Sequence, residues 1–315
     1  MDLYLPLLGA SMVALIGAVL VHRRLRRAYR SLAREAAATE RELASRLETE
    51  EKLVQRFRSK VHTLKDAMEH GAIESVYQPV VDLSSGDVIG TEALARFSDG
   101  RAPEVWFKEA AELDIICELE MAAIDRAFVH LDDLADGFIA VNVSPATISY
   151  PSFLSFLMRA DIPSDRIVVE LTEHAVVENY DIVRSVTDKL KRLGVRIAVD
   201  DVGAGFSNFR HVLQLRPDIV KLDRSLISGI HEDNVRLSLV SSLVGVAERM
   251  NASVVAEGIE VEGEVNALWS LGIEMGQGFL FCRPSRPPLP EVCWHPVRAT
   301  LEEEPVRSPG VLRGR

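Results

Sequence analysis

The sequence has 315 residues, 47% hydrophobic and 26% charged, with a formal net charge of −11. This is enough chain for one large globular domain with appendages. The acidic balance excludes bulk binding of polymeric nucleic acid, so any anionic small molecule must meet local basic groups or metal ions held by acidic side chains.

The first element is an uncharged apolar run over residues 3–21. As a helix it would span roughly 28 Å at about 1.5 Å per residue, close to a bilayer core. His22-Arg23-Arg24-Leu25-Arg26-Arg27 follows at once, with Arg30 beyond. Basic residues stay on the cytoplasmic side. A cleaved signal peptide carries its positive charge ahead of the apolar run, where this chain has only Asp2. The expectation is an uncleaved single-pass anchor over residues 1–21 in the cell membrane, with the catalytic domain cytoplasmic. The alternative is a buried apolar helix.

Residues 22–70 hold neither Pro nor Gly and read as one long polar helix. Leu47, Val54, Val61 and Met68, interleaved with Leu43, Phe57 and Leu64, form a heptad seam over its second half. A coiled-coil stalk joining two copies is expected; a single amphipathic helix lying on the following domain is the other reading. The cysteines, Cys117, Cys282 and Cys293, fit no zinc spacing and no disulfide framework, and read as reduced thiols.

From about residue 74 the pattern changes to short β-rich runs at 76–81, 88–96, 138–144, 166–173, 196–201, 219–223, 253–260 and 276–281. The later runs alternate with helical stretches such as 182–193 and 235–250. Such alternation implies parallel βα units, and this many of them a TIM-like (β/α)8 barrel, an α/β fold, over residues 71–285. Asp82-Leu83-Ser84-Ser85-Gly86-Asp87 is a hairpin-like turn, so the first strand is expected to run antiparallel. Residues 286–315, rich in Pro, Arg and Glu, read as a disordered tail.

Polar residues recur at the strand ends: Glu92, Asn142, Glu170, Asp200 with Asp201, Lys221, Glu257 and Gln277. Active sites of this fold lie at the C-terminal rim of the barrel. Converging there, Glu92, Asn142, Glu170, Asp200, Asp201 and Glu257 would make an oxygen cage suited to Mg²⁺ or Mn²⁺. So many carboxylates repel one another without cations. Adjacent Asp200 and Asp201 would point to opposite faces of a strand, but the following Gly203-Ala204-Gly205 lets the backbone bend. Two ions can activate a water and stabilise the leaving oxygen of a phosphodiester. Lys221 would orient or deprotonate that water, or stabilise phosphoryl charge; Gln277 could hold it; Arg96 could pair with a phosphate. Taken singly, each of these residues is more often a cap or a solvated surface group.

Short strings around these positions give a pattern. Tyr77-Gln78-Pro79, Glu92-Ala93-Leu94-Ala95-Arg96 and Val141-Asn142-Val143-Ser144-Pro145 come first. Glu170-Leu171-Thr172-Glu173, Asp200-Asp201-Val202-Gly203 and Val220-Lys221-Leu222-Asp223 follow, then Ala256-Glu257-Gly258-Ile259-Glu260 and Gln277-Gly278-Phe279. In that order, over about residues 74–285, the chain resembles the EAL-domain family of phosphodiesterases specific for cyclic di-GMP (c-di-GMP). The resemblance implies hydrolysis of c-di-GMP to linear pGpG with two ions per site. It implies that Glu92, Asn142, Glu170 and Asp200 hold one ion and that Asp200, Asp201 and Glu257 serve the second. Lys221 would then assist the attacking water, Gln277 would support it, and Gln78 and Arg96 would meet the substrate. Glu173 would hold the loop at about residues 202–210, which takes part in homodimerisation. Val202 and Phe206 stand where the family usually has Phe and often Tyr, and the stretch from Arg96 to Trp106-Phe107 is short. Inactive family members that act as c-di-GMP receptors lack some of these groups; this chain keeps them all. A silent receptor signalling through the stalk and a membrane scaffold remain the rival readings. No cyclase-like Gly-Gly-Asp-Glu-Phe segment is present.

Overall fold

A computed structural model describes residues 5–69, 71–134, 136–172, 177, 179–203, 206–292 and 294, by backbone alone at 5–15 and 206–208. The chain divides into two units, Met1–Thr63 and Leu64–Arg315.

The first unit is formed by the greater part of helix α1 (Leu5–Glu69). From residue 22 its sequence is free of Gly and Pro and dominated by strong helix formers. Pairs one turn apart add to it: Glu42 with Arg46 at 2.8 Å and Glu48 with Lys52 at 2.7 Å. The seam residues Leu43, Leu47, Val54 and Phe57 are exposed. The expected membrane anchor, and the membrane localisation drawn from it, are corrected here. Among the described residues no helix is long and apolar enough to cross a membrane. Where side chains are described, the apolar run covers only residues 16–21 before the arginine cluster, against about 20 residues needed to span. The side chains of residues 3–15 lie outside the described set.

The second unit is the barrel. Its elements, in order, are β1 (Ile73–Asp82), β2 (Val88–Phe97), α2 (Pro103–Glu112), α3 (Ile116–Phe128), β3 (Phe138–Val143), α4 (Pro145–Ile148), α5 (Phe153–Leu157), β4 (Ile167–Leu171), α6 (Tyr180–Arg192), β5 (Arg196–Val202), α7 (Phe206–Leu215), β6 (Ile219–Leu222), α8 (Arg224–Ile227), α9 (Asn234–Arg249), β7 (Ser253–Ala256), α10 (Glu262–Ser270) and β8 (Met275–Gly276). The eight strands close in sequence order. As expected, β1 runs antiparallel to both neighbours, β2 and β8, while every other pair is parallel. The cause is the β1–β2 turn. Asp82 Oδ1 accepts from the backbone N–H groups of Ser84 and Ser85 at 2.7 and 3.1 Å, and Gly86 takes φ +81°.

The last two strands are shorter than their apolar runs imply. β7 stops at Ala256 because Gly258 turns the chain at φ +67°. β8 is only two residues long, because the bare Gly278 lies against the Ile259 backbone; a Cβ there would stand 2.1 Å from the Ile259 carbonyl oxygen. Backbone pairing nevertheless continues past both ends, with Glu257 N–H donating to Leu222 O at 3.0 Å and Gln277 N–H to Ala256 O at 2.8 Å. The chain then returns to β1, where Tyr77 and Ser285 exchange backbone hydrogen bonds of 2.8 and 3.0 Å. The tail expected to be disordered from residue 286 starts packed on the barrel. Trp294 is buried, edge-on to Phe281 at 5.5 Å, and Leu289 lies against the core. Residues 295–315 lie outside the described set.

Strand alternation divides the side chains between two cores. Outward-facing Ile139, Val141, Ile167, Val169, Val220 and Leu222 meet the helices. Inside the barrel, Val80, Phe138, Ala140, Val168, Ala198, Ile219 and Val255 form an apolar plug.

Candidate active site

The site is the next layer up from that plug. Two residues beyond Ala140, Val168, Ala198, Ile219 and Val255 come Asn142, Glu170, Asp200, Lys221 and Glu257, on the same inward face by the two-residue period. Met275, packed on the plug, leads likewise to Gln277. On antiparallel β1 the step runs backward, from Val80 to Gln78, which pairs across with Glu92. Asn142 pairs with Glu170. Eight strands thus deliver eight polar side chains to one mouth.

At the centre is the Lys221 ammonium, 2% exposed. Its Nζ lies 2.6 Å from Glu257, 2.8 Å from Glu170, and 3.2 Å from both Glu92 and Asp200. Asn142 Nδ2 donates to Glu92 Oε1 at 2.9 Å. Gln277 Nε2 donates to Glu92 Oε2 at 2.9 Å and to Gln78 Oε1 at 3.0 Å, while Gln78 Nε2 donates to Cys282 O at 3.1 Å.

Burial and mutual repulsion set the protonation pattern. Burial pushes the Glu170 carboxyl well above the usual carboxylate range, opposed by Lys221 and reinforced by Glu92 and Asp200. Glu257 is raised for the same reasons. Burial would also raise Glu92, but Lys221 and the amides of Asn142 and Gln277 outweigh it and hold that carboxyl low. Burial disfavours the Lys221 charge, yet the surrounding carboxylates raise its pKa well above the usual value, so the ammonium persists.

Asp201 reaches the same mouth through a backbone irregularity. Register shifts between Val199 and Val202, and Asp201 takes a left-handed φ of +53°. Asp tolerates this region better than most residues. The bulge turns Asp201 to the side of its neighbour instead of the opposite face. Two acidic triads result, Glu92–Glu170–Asp200 and Asp200–Asp201–Glu257, each with one oxygen per residue mutually within 4.8 Å. Asp200 belongs to both. Its Oδ1, 3.2 Å from the Lys221 ammonium, accepts no hydrogen bond among the described residues, and buried Gln277 Oε1 accepts none there either. Hard oxygen donors in two overlapping sets, one oxygen still unsatisfied, fit divalent cations.

A cavity of ~250 Å³ opens above the ring, bounded by Gln78, Glu92, Asp200, Glu257 and Gln277 from the expected set, with Leu94 beside them. Arg96 does not line it; its Nη1 donates to Ala95 O at 2.8 Å. Glu173 lies outside the described residues, as do positions 204 and 205 of the expected dimerisation loop. Val202 at its start is buried. Sequence reasoning missed Arg224 and Phe279 as lining residues. They sit on a one-turn helix and on the turn after β8, where no periodicity marks a direction.

Comparison with known proteins finds relatives in sequence and similar solved folds. A cyclic di-GMP phosphodiesterase of Pseudomonas aeruginosa is 32% identical over 227 residues, covering 67% of this chain and 38% of that protein. An uncharacterised Mycobacterium tuberculosis protein is 30% identical over 235 residues, covering 70% of this chain and 38% of its own length. The chain therefore spans well under half of these relatives. Among solved structures, the PaMucR phosphodiesterase in complex with c-di-GMP superposes with a TM-score of 0.63 at 29% identity, covering 73% of this chain and 98% of that one. A manganese/c-di-GMP complex of Klebsiella pneumoniae BlrP1 gives 0.62 at 30% identity, covering 68% and 56%. The EAL-domain profile matches residues 61–284, well over half of the sequence, and the chain belongs to the EAL-domain family.

Proposed function

We propose that the barrel hydrolyses c-di-GMP to linear pGpG using two divalent ions, Mg²⁺ or Mn²⁺. The observation carrying this reading is the pair of acidic triads sharing Asp200 around a buried ammonium. Glu92, Asn142, Glu170 and Asp200 would hold one ion, and Asp200, Asp201 and Glu257 the other. Bound there, the ions supply the Lewis acidity that activates a water and offsets charge on the phosphoryl and leaving oxygens.

The chain's own groups do the rest. Lys221, its Nζ within 3.2 Å of four carboxylates, orients or deprotonates the attacking water, or stabilises charge on the phosphoryl oxygens. The unpartnered Gln277 Oε1 accepts from that water and fixes its orientation. Gln78, bonded to both Gln277 and Cys282 O, holds the Gln277 amide in place as well as bordering the substrate cavity. On the family resemblance, Arg96 is assigned to a substrate phosphate and Glu173 to the loop beyond β5. The exposed stripe of Leu43, Leu47, Val54 and Phe57 supports pairing of two copies through α1.

The test is incubation of the purified protein with c-di-GMP and Mn²⁺ or Mg²⁺, with products resolved by chromatography. Metal-dependent appearance of pGpG is expected. Binding of c-di-GMP without turnover would replace the enzyme reading by a receptor.

A further inference from the structure

A cyclic dinucleotide carries two phosphodiesters, and on the phosphodiesterase reading the one being cleaved lies at the carboxylate ring. The charged residues lining the cavity are Glu92, Asp200, Asp223, Glu257, Glu260 and Arg224. All but Arg224 are acidic. A second phosphate beside them is repelled unless a cation meets it. Lys221 cannot serve, because it is buried beneath the mouth and enclosed by carboxylates, and Arg96 does not line the cavity.

Local structure holds Arg224 at this rim. Asp223 caps α8, its carboxylate accepting from Ser225 N–H at 2.9 Å, and this turns the chain sharply after β6. The Arg224 side chain then crosses Gly258, where an added Cβ would stand 2.5–2.9 Å from the arginine Cγ, Cβ and Cδ. A side chain at position 258 would displace it. Arg224 Nη2 reaches Glu260 Oε1 at 2.8 Å. This pair is half-exposed, and such pairs add little to stability. Its effect is to fix a planar fork whose remaining N–H groups have no partner among the described residues and border the cavity.

We infer that Arg224, steadied by Glu260 and admitted by the bare Gly258, binds the second phosphodiester of a cyclic dinucleotide and so selects two-phosphate substrates over single phosphodiesters. This rests on the phosphodiesterase reading above and adds the residue that sets its selectivity.

The experiment compares the full chain with Arg224→Ala, Arg224→Lys and Glu260→Gln. Turnover of c-di-GMP and of bis(p-nitrophenyl) phosphate, which has one phosphodiester, is measured in Mn²⁺. Binding of c-di-GMP is measured by calorimetry in Ca²⁺, an ion found with the cyclic dinucleotide in a BlrP1 complex. Loss of one charge-assisted contact should raise KM and Kd for c-di-GMP about tenfold or more in Arg224→Ala. The preference for c-di-GMP over bis(p-nitrophenyl) phosphate should fall by a similar factor. Arg224→Lys should recover part of the loss, and Glu260→Gln should show a smaller one. Wild-type affinity in Arg224→Ala, or equal losses on both substrates, would overturn the assignment. If the wild-type chain neither binds nor cleaves c-di-GMP, the phosphodiesterase reading itself fails, and this inference with it.

Discussion

Replacing Lys221 by methionine tests the electrostatic account of the mouth directly. The ammonium is 2% exposed and lies within 3.2 Å of four carboxylates. Breaking a buried ion pair by removing one partner costs about 3–5 kcal/mol, because the charges left behind are uncompensated. For a folded unit of this size each kcal/mol lowers Tm by about 2–4 °C, so Lys221→Met should melt about 6–20 °C below wild type without metal. The deficit has a definite pH dependence. Without Lys221 the buried carboxyls titrate above their unfolded values, so the folded variant holds protons that the unfolded chain has released. Stability is then present below the ordinary carboxylate range and lost as pH rises, making the deficit larger at pH 8 than at pH 5. Divalent ions replace the missing charge. At a hundredfold excess over Kd each occupied site adds about 2.7 kcal/mol, so the variant should melt several degrees higher in Mn²⁺ than in EDTA. Calorimetry in EDTA and in Mn²⁺ reads both effects. A variant within about 2 °C of wild type in EDTA at pH 8 would show that the carboxylates do not depend on the ammonium.

Two further outcomes are expected. Glu92→Ala and Asp200→Asn each remove an oxygen from a triad, and Asp200 is shared; turnover should fall more than about a hundredfold in either, and full activity would refute the assigned site. Glu120 on α3 accepts from Ser144 N–H at 2.9 Å and Ser144 Oγ at 3.0 Å, just beyond Asn142, and burial raises its pKa despite help from Thr147 and Ser144. A raised carboxyl contributes stability below the unfolded pKa and loses it as pH rises. Glu120→Gln should therefore gain on wild type between pH 5 and pH 8 in thermal melts, and parallel curves for the two proteins would count against it.

The sequence showed the ring because the barrel interior obeys a two-residue period. Once Ala140, Val168, Ala198, Ile219 and Val255 face inward, Asn142, Glu170, Asp200, Lys221 and Glu257 must follow on the same side. What escaped it depends on backbone departures from that period. Ile259 and the Phe279-Leu280-Phe281 run look like strand continuations, but Gly258 and Gly278 bend the chain, so β7 and β8 end early. The same bend after β7 is what lets Arg224 reach the cavity rim. Trp294 sits in a stretch whose composition reads as disordered, and only the tertiary contact with Phe281 gives it a place. At the other end, the apolar run and the arginine cluster after it read as an anchor, which the described part of α1 does not sustain.

Lys221 and divalent ions interact with the same oxygens, and this sets two requirements against each other. Five carboxylates face one ammonium in the ring, so the folded barrel needs some cation even when no metal is present. Lys221 supplies one that cannot dissociate. It also stands within a few ångströms of where ions would sit, and at an effective dielectric near 20 two like charges about 4 Å apart repel by about 4 kcal/mol. The lysine therefore weakens ion binding while keeping the empty site folded. Lys221→Met should accordingly bind Mn²⁺ about tenfold or more tightly in calorimetric titrations, yet turn over c-di-GMP more slowly, because the group acting on the water or phosphoryl oxygens is gone. Tighter ions with slower chemistry is a combination that a purely structural lysine would not produce. Weaker Mn²⁺ binding in the variant would place Lys221 among the groups that assemble the ion sites instead of opposing them.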